Sequence, residues 1–171
     1  MHVTAHEIEN AIQKTMNKSW LGLLLVVVMG CQPTTTIRAD QDLAEGWDRV
    51  GHFSIPPKTN GRYDLFIHLR NDNSYPYANI FLIARLKTDS TTLHIDTLEY
   101  AMAAASGKWL GVGFSEVKES KLVWRENIEL SDSLSYHIEI EHAQRAQGQV
   151  EGHKNLPGIL SVGYSLEPKT E

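Results

Sequence analysis

Tyr63-Asp64-Leu65-Phe66-Ile67-His68-Leu69-Arg70 decides the fold class. Tyr63, Leu65, Ile67 and Leu69 share one face of an extended chain, and Asp64, Phe66, His68 and Arg70 take the other. That period of two is the signature of a β-strand with one face on a core. Just after it, Arg70-Asn71-Asp72-Asn73-Ser74-Tyr75-Pro76 is dense in turn formers. Ala78 to Lys87 then alternates Ile80, Leu82, Ala84 and Leu86 against Phe81 and Ile83, which predicts a central strand covered on both faces. Thr88 to Thr92 reads as a hairpin turn, and Leu93 to Met102 alternates again.

Further along, Lys108 to Phe114 and Lys121 to Ile128 read as short strands, and Tyr136, Ile138 and Ile140 line one face of the next. Gln147 to Pro157 reads as a loop, and Leu160, Val162, Tyr164 and Leu166 close the chain. No segment from Val50 onward has the length and period of a long amphipathic helix; Ala143-Gln144-Arg145-Ala146 allows one brief helical turn. About eight short strands separated by frequent turns predict an all-β fold, a single antiparallel β-sandwich over residues 50–171. The spacing leaves jelly-roll and immunoglobulin-like strand orders open.

Upstream, Lys18 precedes the apolar run Trp20 to Met29, too short to cross a bilayer but suited to a signal peptide. Residues 1–30 are therefore expected to be removed. Met16-Asn17-Lys18 opens a conventional signal, which makes residues 1–15 an upstream extension. Val28-Met29-Gly30-Cys31 looks like a bacterial lipobox, although Met29 stands where Ala or Ser is more usual. Cys31 is the only cysteine, so no intrachain disulfide is possible, and lipid attachment is its expected role. Residues 31–49 are polar, with Pro33 and three consecutive threonines, and read as a lipidated N-terminus and tether. The formal net charge is -5 and survives removal of residues 1–30, which argues against nucleic acid as a partner.

Chemistry is sparse. There is no P-loop and no Gly-x-Ser-x-Gly elbow. His68 and His94 are placed on adjacent strands with Asp96 near His94, but solvent-facing polar residues are the better reading than a metal site. Gly107-Lys108-Trp109-Leu110-Gly111-Val112-Gly113 lacks Walker spacing, and its glycines read as bulges or close backbone approaches. No cofactor is expected. Tyr75, Tyr77 and Trp109 are the candidate partner- or ligand-binding residues, as aromatics suited to stacking on a glycan or peptide. Burial of Trp109 and Trp124 in the sandwich is the competing reading, and Tyr75-Pro76-Tyr77 is expected at a loop tip.

Several segments together resemble the gliding-motility lipoprotein GldH family of Bacteroidetes. They are Leu69 to Ile80, Asp96-Thr97-Leu98-Glu99-Tyr100, Gly107 to Gly113, Glu141-His142-Ala143-Gln144-Arg145 and Leu156 to Tyr164. The resemblance spans Phe53 to Leu166 and rests on the order and spacing of these stretches. It implies a lipid-anchored, non-enzymatic component of the gliding or cell-envelope machinery, with protein partners there. No catalytic residues carry over. Gln32 to Thr36 carries no acidic residue, which favours a domain facing the periplasm over one exported to the surface. The alternative is a periplasmic or surface sandwich module that binds a glycan or peptide.

Overall fold

The computed structural model describes residues 35–44, 46–146, 148 and 150–169. The expected signal peptide and Cys31 lie outside them. Eight strands run in order: β1 (Ile37–Asp42), β2 (Gly51–Ser54), β3 (Gly61–Asn71), β4 (Asn79–Thr88), β5 (Thr92–Ala101), β6 (Lys118–Leu130), β7 (Tyr136–His142) and β8 (Ile159–Pro168). They form two four-stranded sheets, ordered β1-β8-β3-β6 and β2-β7-β4-β5, and every neighbouring pair is antiparallel. The fold is the all-β sandwich that the alternation predicts. Its strand order settles the open choice in favour of the jelly roll, in which successive strands cross between sheets except at the β4–β5 hairpin.

The inner faces make the core. Leu65, Ile67 and Leu69 of β3 meet Leu82 and Ala84 of β4, Ile138 and Ile140 of β7, and Tyr164 and Leu166 of β8, all buried. β4 is central in its sheet, between β7 and β5, as its sequence predicts. β6 carries a bulge against β3. There Asn127 adopts a positive φ of 56°, which asparagine tolerates better than most residues, and its freed N–H donates to Asp64 Oδ1 at 2.7 Å.

Three sequence expectations differ from the structure. The stretch read as tether contains β1, whose Ile37 and Ala39 pack against the core, and the following loop buries Leu43 and Trp47. Lys108 to Phe114 is not a strand; it makes two isolated bridges, Trp109 to Ala103 and Val112 to Glu119 at the start of β6. Ala143 to Ala146 makes no helical turn, because Ala143 N–H donates to the Phe81 carbonyl at 2.8 Å and Gln144 Oε1 accepts from Phe81 N–H at 3.1 Å. The side chain of Gln144 thus prolongs the β7–β4 pairing after the backbone has left it.

Jelly-roll connectivity sorts the connections by end. Loops 43–50, 72–78, 102–117 and 143–158 leave one end of the sandwich. The shorter turns 55–60, 89–91 and 131–135 close the other, where β1 begins and β8 finishes.

Candidate functional site

The long-loop end is where the sequence candidates meet. Tyr75 and Trp109, on different loops, have ring centroids 6.1 Å apart, and Tyr75 and Tyr77 stand edge-on at 5.8 Å. The trio is a cluster, but not a bare platform. Tyr75 is only 3% exposed, and its hydroxyl donates to the Asn79 carbonyl at 2.7 Å. Burial pushes its phenol well above the ordinary tyrosine range. Tyr77 and Trp109 are half-buried against the core. The Trp109 indole N–H donates to Asn73 Oδ1 at 3.0 Å, and the Tyr77 hydroxyl is hydrogen-bonded to His153 Nε2.

Short-range chemistry makes the 72–78 loop stiff enough to hold this cluster. Asp72 Oδ1 accepts from the Ser74 N–H at 2.8 Å and from its hydroxyl at 2.6 Å. The Asp72 N–H donates to the Gly158 carbonyl at 3.0 Å, which ties the loop to 143–158. Gly158 has φ +77°, and a Cβ there would collide with the Tyr75 backbone. Only glycine fits both constraints.

Trp47 braces the other side of the same end. It is completely buried, its indole N–H donates to the Arg49 carbonyl at 2.6 Å, and its backbone exchanges hydrogen bonds with Leu156 at 2.9 and 3.0 Å. His142 packs edge-on against it at 5.5 Å and donates from Nε2 to its carbonyl at 2.9 Å. Burial holds the His142 pKa below the usual histidine value. His153 and Trp47 carry no local sequence signal that marks them as site residues; only the loop contacts bring them in.

One constellation elsewhere has the order of a nucleophilic triad. On the outer face of β1-β8-β3-β6, Ser165 Oγ lies 2.8 Å from His68 Nε2, and His68 Nδ1 lies 3.4 Å from Glu119 Oε1. Ser165 is 1% exposed and His68 5%, so neither meets solvent freely. Glu119 is engaged by Arg38, whose Nη1 donates to Oε1 at 2.8 Å, and this guanidinium lowers the Glu119 pKa. Arg38 also grips Asp40 at 2.7 and 3.0 Å. The Asp40 carboxylate lies over Gly163, where any Cβ would strike it. One side chain from β1 therefore reaches β6 across the sheet. His94 stands on β5 in the other sheet, so His68 and His94 are not neighbours. Asp96 accepts from the Trp124 indole at 2.9 Å and from Arg125 at 2.8 Å, closing the corner between the two sheets.

Fold and site together define the class: a small jelly-roll module that presents one cross-braced end of long loops. The sequence model described as GldH lipoprotein matches residues 37–166. Gliding motility lipoprotein GldH of Flavobacterium johnsoniae is 34% identical over 156 residues, which is 90% of this chain and 97% of that protein. A gliding motility lipoprotein GldH homolog of Christiangramia forsetii is 47% identical over 105 residues, 61% of this chain. That match spans 65% of the relative, slightly under two thirds of its length. Dimeric latent PorU from Porphyromonas gingivalis aligns over 78% of this chain and 13% of its own, with 8% identity and a TM-score of 0.34, too slight a likeness to carry an argument. The chain belongs to the GldH lipoprotein family.

Proposed function

We propose that this protein is a lipid-anchored, non-enzymatic component of the gliding or cell-envelope machinery that docks other subunits through its long-loop end. The observation that carries the reading is the division of the sandwich. The chain enters at the end of short turns, and the long loops gather at the opposite end. Cys31 precedes β1 by only a few residues. At about 3.3–3.6 Å per residue, a lipid there holds the short-turn end close to the membrane and leaves the loop end free. Multiple acyl chains on that cysteine would give firm attachment, which a single chain does not. The absence of acidic residues in Gln32 to Thr36 favours a periplasmic face.

A non-catalytic role is supported by the sealed state of Ser165 and His68. Docking of partners is favoured over glycan stacking by the internal hydrogen bonds of Tyr75, Tyr77 and Trp109. Their polar atoms are already engaged in holding loops together.

Deletion in the native host, scored for colony spreading and for secretion, tests the role: loss of either is expected, and normal behaviour in both refutes it. Cys31→Ser is expected to release the protein from the membrane fraction. Unchanged membrane association would refute the lipid anchor. Protease added to intact cells is expected to spare the domain.

A further inference from the structure

β5 is the last strand of its sheet, and its free edge is unguarded. Two hydrogen bonds on β4 fix which way the backbone groups point. The Phe81 carbonyl accepts from the Ala143 N–H at 2.8 Å on the β7 side, and the Ala78 carbonyl accepts from the Met102 N–H at 2.7 Å on the β5 side. Main-chain groups alternate sides along a strand. Ile80, Leu82, Ala84 and Leu86 therefore bond β5, through their register partners Tyr100, Leu98, Asp96 and His94. The N–H and C=O groups of Ile95, Thr97 and Glu99 then point away from β4, where no strand among the described residues pairs with them.

The other three sheet edges are each blunted. β2 has four residues and β1 six. β6 carries Lys118, Lys121, Arg125 and a bulge, and its Val123 carbonyl already accepts from the Tyr100 hydroxyl at 2.6 Å. Short length, lysines and bulges are the usual guards against strand addition. β5 runs for 10 residues without Lys, Arg, Pro or Gly, and its register with β4 is regular from His94 to Ala101. Its inward-facing carboxylate, Asp96, is matched by Arg125 at 2.8 Å and does not repel an added strand.

The outward side chains suit the same occupant. Leu93 is 42% exposed and Ile95 63%. Thr97 borders an open hollow of about 300 Å³ that it shares with Phe81, Ala143 and Arg145. A strand laid beside β5 sets every second side chain against Leu93, Ile95 and Thr97. Glu99 adds an exposed carboxylate to that face.

We propose that β5 receives an extended segment of another protein as a fifth strand of this sheet. The occupant is a run of about six residues, with β-branched side chains at alternate positions and a basic residue opposite Glu99. An extended backbone is the chemistry that satisfies a row of outward N–H and C=O groups. Those bonds supply affinity, and the alternate side chains select the partner. The surface is a flank of the sandwich, separate from the loop end, so it goes beyond docking there and is tested independently of it.

Amide hydrogen exchange of the full-length chain, read by NMR, tests the edge. In dilute chain alone, the amides of Ile95, Thr97 and Glu99 are expected to exchange at least about ten-fold faster than those of His94, Asp96, Leu98 and Tyr100. The probe is a capped synthetic peptide, Lys-Val-Thr-Val-Thr-Val-Thr-Lys. It is expected to slow the three outward amides about ten-fold, as a Kd of about 0.1 mM gives at about 1 mM peptide. The same peptide with prolines at its centre is expected to leave them unchanged. Thr97→Pro removes an outward donor and no bond to β4, so it is expected to abolish the slowing at Ile95 and Glu99 with little change in melting temperature. Ile95→Lys, at an exposed position, installs the missing guard; it is expected to cut the slowing too, and it serves if Thr97→Pro does not fold. Slow exchange at the three amides without peptide, no slowing with it, or equal slowing by the proline peptide would overturn the proposal. So would protection that rises with chain concentration alone, which marks a second copy as the occupant.

Discussion

The two ends of the sandwich are built on different principles. At the short-turn end, local bonds close the turns: Thr88 N–H donates to the Thr91 carbonyl at 2.7 Å, and Thr59 Oγ1 donates to the Pro56 carbonyl at 2.7 Å. Links beyond a turn are polar and few, as where Asp89 meets Ser135 and, at 2.8 Å, His137. At the long-loop end, each loop depends on another. Trp47 pairs with Leu156, Asp72 with Gly158, Trp109 with Asn73 and Tyr77 with His153. Long loops normally carry the mobility of a domain; here aromatic and backbone contacts between loops replace it with a shaped surface. The ion pairs on the sheet faces are half-exposed and add little stability individually, so the core and these loop contacts carry most of it.

The contrast can be broken most severely at Trp47. Trp47→Ala should cost about 3–5 kcal/mol in urea unfolding, because the ring is fully buried and the cavity cannot close. Lys58→Ala at the opposite end should stay within about 0.5 kcal/mol, since Lys58 is exposed. Equal losses would remove the distinction between the ends. A smaller effect separates strain from collision. Gly158→Ala meets both a positive φ of +77° and the Tyr75 backbone, whereas Gly148→Ala meets a φ of +80° with nothing within 4 Å. The first should lose clearly more than the roughly 1–3 kcal/mol that an unfavourable φ costs, and the second no more than that.

Acid should loosen the loop end first. His142 is buried under Trp47 with its pKa depressed below 6.5, and Nδ1 has no hydrogen-bond partner. The unfolded chain therefore binds the proton more readily than the folded one. Its contribution is present above about pH 6.5 and declines as the pH falls from there toward the lower folded value. Burial and Arg38 depress His68 in the same direction on the sheet face. Hydrogen exchange corrected for intrinsic rates should show amides of Trp47 and Leu156 losing protection below pH 6.5 before those of Thr88 and Leu134. His142→Asn should reduce that slope.

Much of the scaffold was legible because β3, β4 and β8 each keep a strict period of two with large apolar residues on the core face. The count of about eight strands holds, but partly by compensation. β1 was hidden because Ile37, Ala39 and Gln41 make a weak inner face, and Arg38 and Asp40 look like tether until their cross-sheet pairing is seen. Lys108 to Phe114 reads as a strand because its alternation is real, but the sequence does not tell that the large residues face solvent. The glycine reading holds for Gly111 and Gly113, which are close backbone approaches, and not for Gly107, which sits in a turn at φ +82° with nothing within 4 Å. Tyr75 and Tyr77 could be named with Trp109, but their meeting depends on two loops leaving one end, which is a property of strand order. For the same reason His68 and His94 fell on different sheets: the β3–β4 connection crosses the sandwich.

Complementation of a deletion strain tests the functional half of the contrast most directly. One allele carries Leu110→Ser, Val112→Ser and Phe114→Ser on the loop end, and the other carries Asp132→Ala, Ser133→Ala and Leu134→Ser in the turn at the opposite end. With both proteins present at equal levels, the first is expected to fail to restore colony spreading and the second to restore it. Full spreading with the loop-end allele, or loss with both, would contradict a functional difference between the two ends.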